Sequence, residues 1–380
     1  MFDLSDSDSS LPTNSPTLQL SNSPTLQLSN SPTLQLSNLV NLHLNSYGAY
    51  LHVKDELFEI KWREDDVVKV RQQAAKKVSG IWLNKATRVS GAAIALALKH
   101  NIDVVLLEND GTPLGRFWHS KLGSTTRIRK LQLEASRDER AVRFVREWLV
   151  RKLDNQTALL TTLRRHRKPL HPLLDQRCAQ IGELTHKIQE ESAPRIDDCA
   201  ERLRGYEGTA GRLYFGALSA CLPERWRFNG RSFRPAADAF NAFLNYAYGI
   251  LTSQTERALI LAGLDPYVGF LHRDDYNLKS MVFDFIEPFR TYADEPVFRL
   301  FSGKQVNESH LDEYRNGVGL SKAGKQLLVE AWTKHFHEVR IRHRGRNQTR
   351  HRILQLEAHA FAAELLGRSP DAEPPEVEII

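Results

Sequence analysis

The chain has 380 residues, 41% of them hydrophobic and 26% charged, with a formal net charge of +6. That length favours two domains over one, and the apolar share supports real cores. No run approaches the roughly 18 apolar residues that a spanning helix needs, which points to a soluble, cytoplasmic protein with no membrane partner. Three cysteines, Cys178, Cys199 and Cys221, form no CxxC pair. So sparse and odd a set reads as reduced thiols, not as a disulfide framework or a cysteine zinc site.

Residues 1–38 contain "NSPTLQLS" three times in tandem, at 14–21, 22–29 and 30–37. The period is too short for a solenoid unit of about 20–50 residues. The copies carry no charge and no aromatic residue, and each holds a proline. This composition predicts a disordered tail. It has neither the basic start nor the continuous apolar run of a signal peptide.

Residues 39–120 predict a small β-rich domain. "AYLHV" (49–53) and "LFEIKW" (57–62), separated by a polar break, read as a hairpin. "VSGIWL" (78–83) is a further strand. Ser90 caps a short helix, "GAAIALALKH", that stops at Asn101. "DVVLLE" (103–108) is a buried strand, and "PLGRFW" (113–118) runs back after "NDG". No cluster of carboxylates, histidines or nucleophiles stands out here. A scaffold or dimerisation module is the expected role.

After a linker at 121–125, residues 126–366 predict an α-helical domain. Ala141, Phe144, Val145, Trp148 and Leu149 recur at helical spacing and define an apolar stripe. The opposite face is arginine-rich. Residues 127–168 hold thirteen Lys and Arg against five acids. The densest knot, "LRRHRKPLH" (163–171), offers Arg164, Arg165, Arg167 and Lys168. A second knot is "VRIRHRGRNQTRHR" (339–352). Two arginine-rich knots in one domain suit phosphate binding, positioning a nucleic acid without reading its bases. The tail at 367–380 is acidic and proline-rich, hence extended. Its closing "EVEII" is a candidate for strand addition to a partner's sheet.

Chemistry centres on "GFLHRDDYNLKSMVFDFIE" (269–287). His272 ends an apolar run, and Asp284 and Glu287 stand three residues apart, sharing a face if 280–287 is helical. Pro288 should end or kink that helix. Taken alone, the stretch fits either a metal site or a core histidine followed by an ordinary helix. Asp274 and Asp275 read as loop acids. A third candidate ligand is Glu207 in "GYEGTAGRLYFGAL" (205–218), where Gly208 and Gly211 permit close approach of a backbone or a phosphate. Oxygen donors with one imidazole suit magnesium, manganese or zinc.

"YEGTAGRLYF", "DPYVGFLH" and "SMVFDFIEPFR", in that order and at this spacing, resemble the motifs of the Cas1 family. These are the CRISPR-associated endonuclease/integrases of prokaryotes. The resemblance covers roughly residues 40–366, and "YGAYLHVKDELFEI" and "VSGAAIALALKHNIDVVLLENDGTPLGRF" are similar to the family's β-domain. Gly211 replaces the family's frequent alanine, and Phe285–Ile286 its Leu-Met pair; neither change removes a ligand. The resemblance implies an α+β multi-domain protein, with a small β-rich N-terminal domain before a larger all-α catalytic domain. It implies one Mg2+ or Mn2+ held by Glu207, His272 and Glu287, with Asp284 as a supporting acid or occasional ligand.

Arg212 and Arg290 are candidates for holding phosphates, and Tyr206 and Asn241 for shaping the site. The implied reaction inserts short duplex DNA (a prespacer) into a CRISPR repeat by attack of a 3′-hydroxyl on a phosphodiester. The implied assembly is a homodimer that joins a dimer of the small Cas2 protein. Two other readings compete: a metal-dependent nuclease or junction resolvase without integration, and a non-catalytic DNA-binding scaffold.

Overall fold

The computed structural model describes residues 40–44, 48–64, 67–100, 102–108, 113–117, 125–233, 235–272 and 278–369. The expected N-terminal tail, most of the linker, Asp274, Asp275 and the closing "EVEII" lie outside these residues. A β-rich N-terminal unit precedes a larger, mostly helical one, and the chain divides between residues 121 and 122.

In the first unit, strands β1 (Val40–Leu44), β2 (Tyr50–Lys54), β3 (Leu57–Glu64), β4 (Val67–Ala74), β5 (Val78–Asn84) and β6 (Arg88–Val89) precede helix α1 (Gly91–Lys99). β7 (Asp103–Leu107) and β8 (Pro113–Phe117) follow it. One sheet runs β1-β5-β7-β8, parallel except for β8. The other runs β4-β3-β2-β6. Leu42, Leu51, Phe58, Ile81 and Val104 fill the core with Ala93 and Ala97 of α1. The Ser90 side chain accepts from the Ala93 amide, capping α1 as its sequence predicts.

Asp55 and Glu56 turn the β2–β3 hairpin with φ of 50° and 57°, a two-residue turn with both residues left-handed. Strand β4 was not expected from the sequence. It borders its sheet and exposes Val67, Val68 and Val70, so no alternation marks it.

The helical unit contains α2 (Thr125–Ala135), α3 (Glu139–Arg164), α4 (His171–Glu190), α5 (Ala200–Ala220), α6 (Ala239–Leu261), α7 (Ser280–Phe285), α8 (Thr291–Ser302), α9 (Lys322–Thr333) and α10 (Arg350–Leu365). It also carries two antiparallel hairpins that the helical reading did not anticipate. They are β9 (Leu311–Tyr314) with β10 (Gly317–Leu320), and β11 (Arg340–His343) with β12 (Arg346–Thr349). The second basic knot is therefore a ribbon leading into α10.

The stripe of α3 is buried as its spacing predicts. Trp148 stacks on Phe270 at 5.8 Å and meets Phe285 edge-on at 5.6 Å. These contacts seat the 269–272 loop and α7 against α3, where the candidate site lies.

Candidate metal centre

Asp284 is the organising group. Although fully buried, it spends its charge on its own loop. Its Oδ2 accepts from the Phe270 amide at 2.5 Å and the Leu271 amide at 3.0 Å. Its Oδ1 accepts from the His272 amide at 3.1 Å and from His272 Nδ1 at 2.5 Å. Two carboxylate oxygens thus take four donors, and Nε2 is left as the lone-pair nitrogen of the ring.

Only glycine fits at 269 in this fold. A Cβ there would lie 2.4 Å from Ser280 Cβ and 3.0 Å from Asp284 Oδ2. Arg204 of α5 ties the same loop to the site by donating to the Leu271 carbonyl at 2.9 Å. Burial pushes the His272 ring toward neutrality, but the hydrogen bond and charge of Asp284, with the charge of Glu287, outweigh it and raise its pKa.

Glu287 lies outside α7. The helix ends at Phe285, and Glu287 opens a single 3-10 turn that includes Pro288. The change of helix type separates the tasks of Asp284 and Glu287, which a continuous helix would have placed on one face. Asn155 of α3 fixes this turn by donating to the Pro288 carbonyl at 2.7 Å. Arg290 holds Glu287 Oε1 through Nε at 3.2 Å and Nη2 at 2.8 Å. The Arg290 guanidinium also lies 4.8 Å from the centre of the Tyr248 ring.

The other oxygen, Oε2, pairs with the Lys152 ammonium at 2.5 Å. That ammonium also donates to Glu207 Oε1 from α5. Glu207 and Glu287 are thus drawn together from two elements by one buried cation. Burial would raise the Glu287 carboxyl, but Arg290 and Lys152 hold it down to about 2. Burial likewise opposes the charge on Lys152, and Glu287 and Glu207 more than restore it.

Lys152 is the residue that sequence reasoning missed. In a basic stretch it reads as one more solvated cation. Yet it lies four residues after Trp148 and three after Leu149, continuing the apolar stripe, and a lysine on a buried stripe signals a buried partner.

Behind this layer, Asp294 of α8 accepts from Tyr248 at 2.6 Å and from Tyr214 at 2.9 Å. With phenols rather than cations in direct contact, burial prevails, and its carboxyl is pushed up to about 6.

The remaining candidates are spread out. Arg212 is exposed and donates to Thr209. Tyr206 packs against the helical core. Asn241 is buried at the start of α6, accepting from Arg231 and donating to Asp238. In the basic turn, Arg164 pairs with Asp175 at 2.6 Å. Arg167 donates to the Cys221 carbonyl at 3.3 Å and covers the Phe298 ring. Arg165 and Lys168 are exposed.

Among the described residues, no three His, Cys, Asp or Glu side chains lie close enough together to hold a metal ion as they stand. The donor chemistry nevertheless fits a hard divalent cation. Two carboxylates meet at a positive charge, the Lys152 ammonium, which stands in for such an ion, and the His272 imidazole, held through Nδ1 by Asp284, lies within range of the Glu287 charge.

The family profile described as "CRISPR associated protein Cas1" matches residues 42–334. A CRISPR-associated endonuclease Cas1 of Archaeoglobus fulgidus is 35% identical over 337 residues, covering 86% of this chain and 96% of the relative. Among solved structures, a casposase bound to integration product has the same fold, with a TM-score of 0.72 and 22% identity, over 90% of this chain and 95% of that one. A chain of a Cas6-RT-Cas1–Cas2 complex superposes with a TM-score of 0.68 at 20% identity, over 90% of this chain and 37% of that one. The fold defines a Cas1-type architecture. The chain belongs to the Cas1 family.

Proposed function

We propose that the protein is a metal-dependent DNA endonuclease/integrase that inserts short duplex DNA into a CRISPR array. In this reading, Glu207, His272 and Glu287 hold one Mg2+ or Mn2+. The observation that carries it is the meeting of Glu207 and Glu287 at one buried positive charge, with the ring of His272, fixed by Asp284, within range of the Glu287 charge. When bound, the ion supplies Lewis-acid activation of the attacking 3′-hydroxyl and of the phosphoryl oxygen.

The chain's own residues set the conditions for that chemistry. Asp284 accepts a hydrogen bond from His272 Nδ1 and so leaves Nε2 as the nitrogen that would hold the ion. Arg290 fixes the rotamer of Glu287 and keeps it ionised. The exposed cations Arg165, Lys168 and Arg212 contact the phosphate backbone of the duplex, with no base recognition. No covalent protein–DNA intermediate is needed.

The Archaeoglobus relative is a CRISPR-associated endonuclease, and the two fold neighbours hold an integration product and belong to a Cas1–Cas2 complex. This reading carries DNA joining and a Cas2 partner over to this chain, which would act as a homodimer on cytoplasmic DNA. Among the described residues no helix is long and apolar enough to cross a membrane.

The test supplies pre-cut duplex, a repeat-bearing plasmid, a Cas2 partner and Mn2+. Wild type joins duplex to plasmid, whereas Glu207→Gln, His272→Ala and Glu287→Gln bind duplex but do not join it. Joining that survives these changes refutes the assignment.

A further inference from the structure

Two cations hold Glu287, and they differ in how easily they can leave. Arg290 binds Oε1 through two nitrogens, lies over Tyr248, and sits three residues away on the same turn. A planar guanidinium held by two donors and a ring is a fixed counter-charge. Lys152 meets Oε2 by a single ammonium contact and reaches its place on a flexible four-carbon stem from a separate helix. Its second contact, Glu207, is the more exposed of the two glutamates, at 31% of its side chain against 7% for Glu287. A divalent ion bridging Glu207 and Glu287 would need the space that the ammonium fills.

We infer that Lys152 is a tethered counter-ion. It keeps Glu207 and Glu287 together in the metal-free protein and yields its place when the divalent ion binds. The inference rests on the proposed metal site. Without Lys152, two carboxylates would face each other across a largely buried gap with Arg290 alone beside them, and their repulsion would open the site before the ion arrived. With an ion held by the two glutamates, the ammonium would be a surplus positive charge, free to pair with an incoming phosphate. Lys152 thus acts through the ligands as a positioning residue and links metal loading to the arrival of the anionic substrate.

Two measurements on the full chain test this, with Mn2+ alone as the probe. In calorimetric titration, Lys152→Met binds Mn2+ about tenfold more tightly than wild type, because no ammonium has to be displaced. Metal-free Lys152→Met melts below wild type, and saturating Mn2+ closes most of that gap. Lys152→Arg restores the wild-type melting of the metal-free protein. Equal or weaker Mn2+ affinity in Lys152→Met overturns the inference.

The second measurement needs no variant. Wild-type protein is labelled with an amine-reactive ester, and modification of Lys152 is read by mass spectrometry. Labelling at Lys152 rises several-fold on adding Mn2+ while Lys168 stays constant. No rise at Lys152 overturns the inference. If wild type shows no saturable Mn2+ binding, the metal site itself is refuted. If it binds Mn2+ and Lys152→Met matches it, only the role of Lys152 falls.

Discussion

Asp284 and Glu287 are both buried acids, three residues apart, yet their surroundings have little in common. Asp284 is saturated by three backbone amides and one imidazole, all from residues 270–272. Glu287 is held by an ammonium and a guanidinium. The first acid shapes a loop; the second balances two cations and, in the proposed site, would hold the ion. The difference shows that burial alone does not mark a ligand. What matters is whether the partners of a carboxylate are groups the fold can spare.

The largest expected effect follows from Glu287. Glu287→Gln should lower strand joining about a thousandfold or more, the worth of several kcal/mol of ligand chemistry. It should also lower the melting temperature, because Lys152 and Arg290 lose a buried counter-charge. Joining near the wild-type rate in this variant would erase the contrast with its neighbour. Asp284→Asn should act on the loop first. An amide cannot accept from four donors, so denaturant unfolding should show a loss of about 3 kcal/mol or more. Mn2+ affinity should also fall about 10–100-fold, since the ring is no longer oriented. Gly269→Ala should cost about 1–3 kcal/mol by driving the loop off α7, with Mn2+ affinity weakened in step.

Asp294 sharpens the comparison as a third buried acid, bonded directly by phenols alone. Its carboxyl is raised from 3.8 to about 6. The folded state therefore binds that proton more tightly than the unfolded state does. The resulting stabilisation is complete below about pH 4 and is lost as pH rises through about 6. Unfolding measured across this range should show the decline in wild type, and Asp294→Asn should flatten it. A decline that persists unchanged in Asp294→Asn would trace it to another group.

The smallest effect applies the same distinction to cations. Arg164 and Arg167 are engaged internally, whereas Arg165 and Lys168 face solvent. Reversing the latter two should weaken duplex binding and reduce the salt slope by roughly one for each phosphate no longer neutralised. An unchanged slope would remove this turn from the DNA-binding surface.

Much of this was legible before any coordinates. Strands β3, β5 and β7 announced themselves by apolar alternation or a buried run, α1 by its Ser90 cap, and α3 by its stripe. What stayed hidden has a common cause. Strand β4 and the β11–β12 ribbon bury little on either face, so no periodicity marks them, and arginines in a ribbon look like arginines on a helix. The residues 207, 272 and 287 were readable as a set only through family motifs, since each alone has an ordinary explanation. The separation of Asp284 from Glu287 depends on a change from α to 3-10 geometry at Ile286, which spacing cannot foresee. Lys152 was hidden by its basic neighbours, although its place on the stripe was in plain view.

Strand β4 has a colloidal consequence. Three valines and a row of backbone groups border one sheet of the first unit, with Arg71 and a Lys69 paired to Glu64 set among them. Such a rim is a template for strand pairing, and the Arg71 charge repels a second rim only while salt is low. Concentrated stocks of the protein should therefore cloud on raising the ionic strength, and replacing Val68 by lysine should keep them clear.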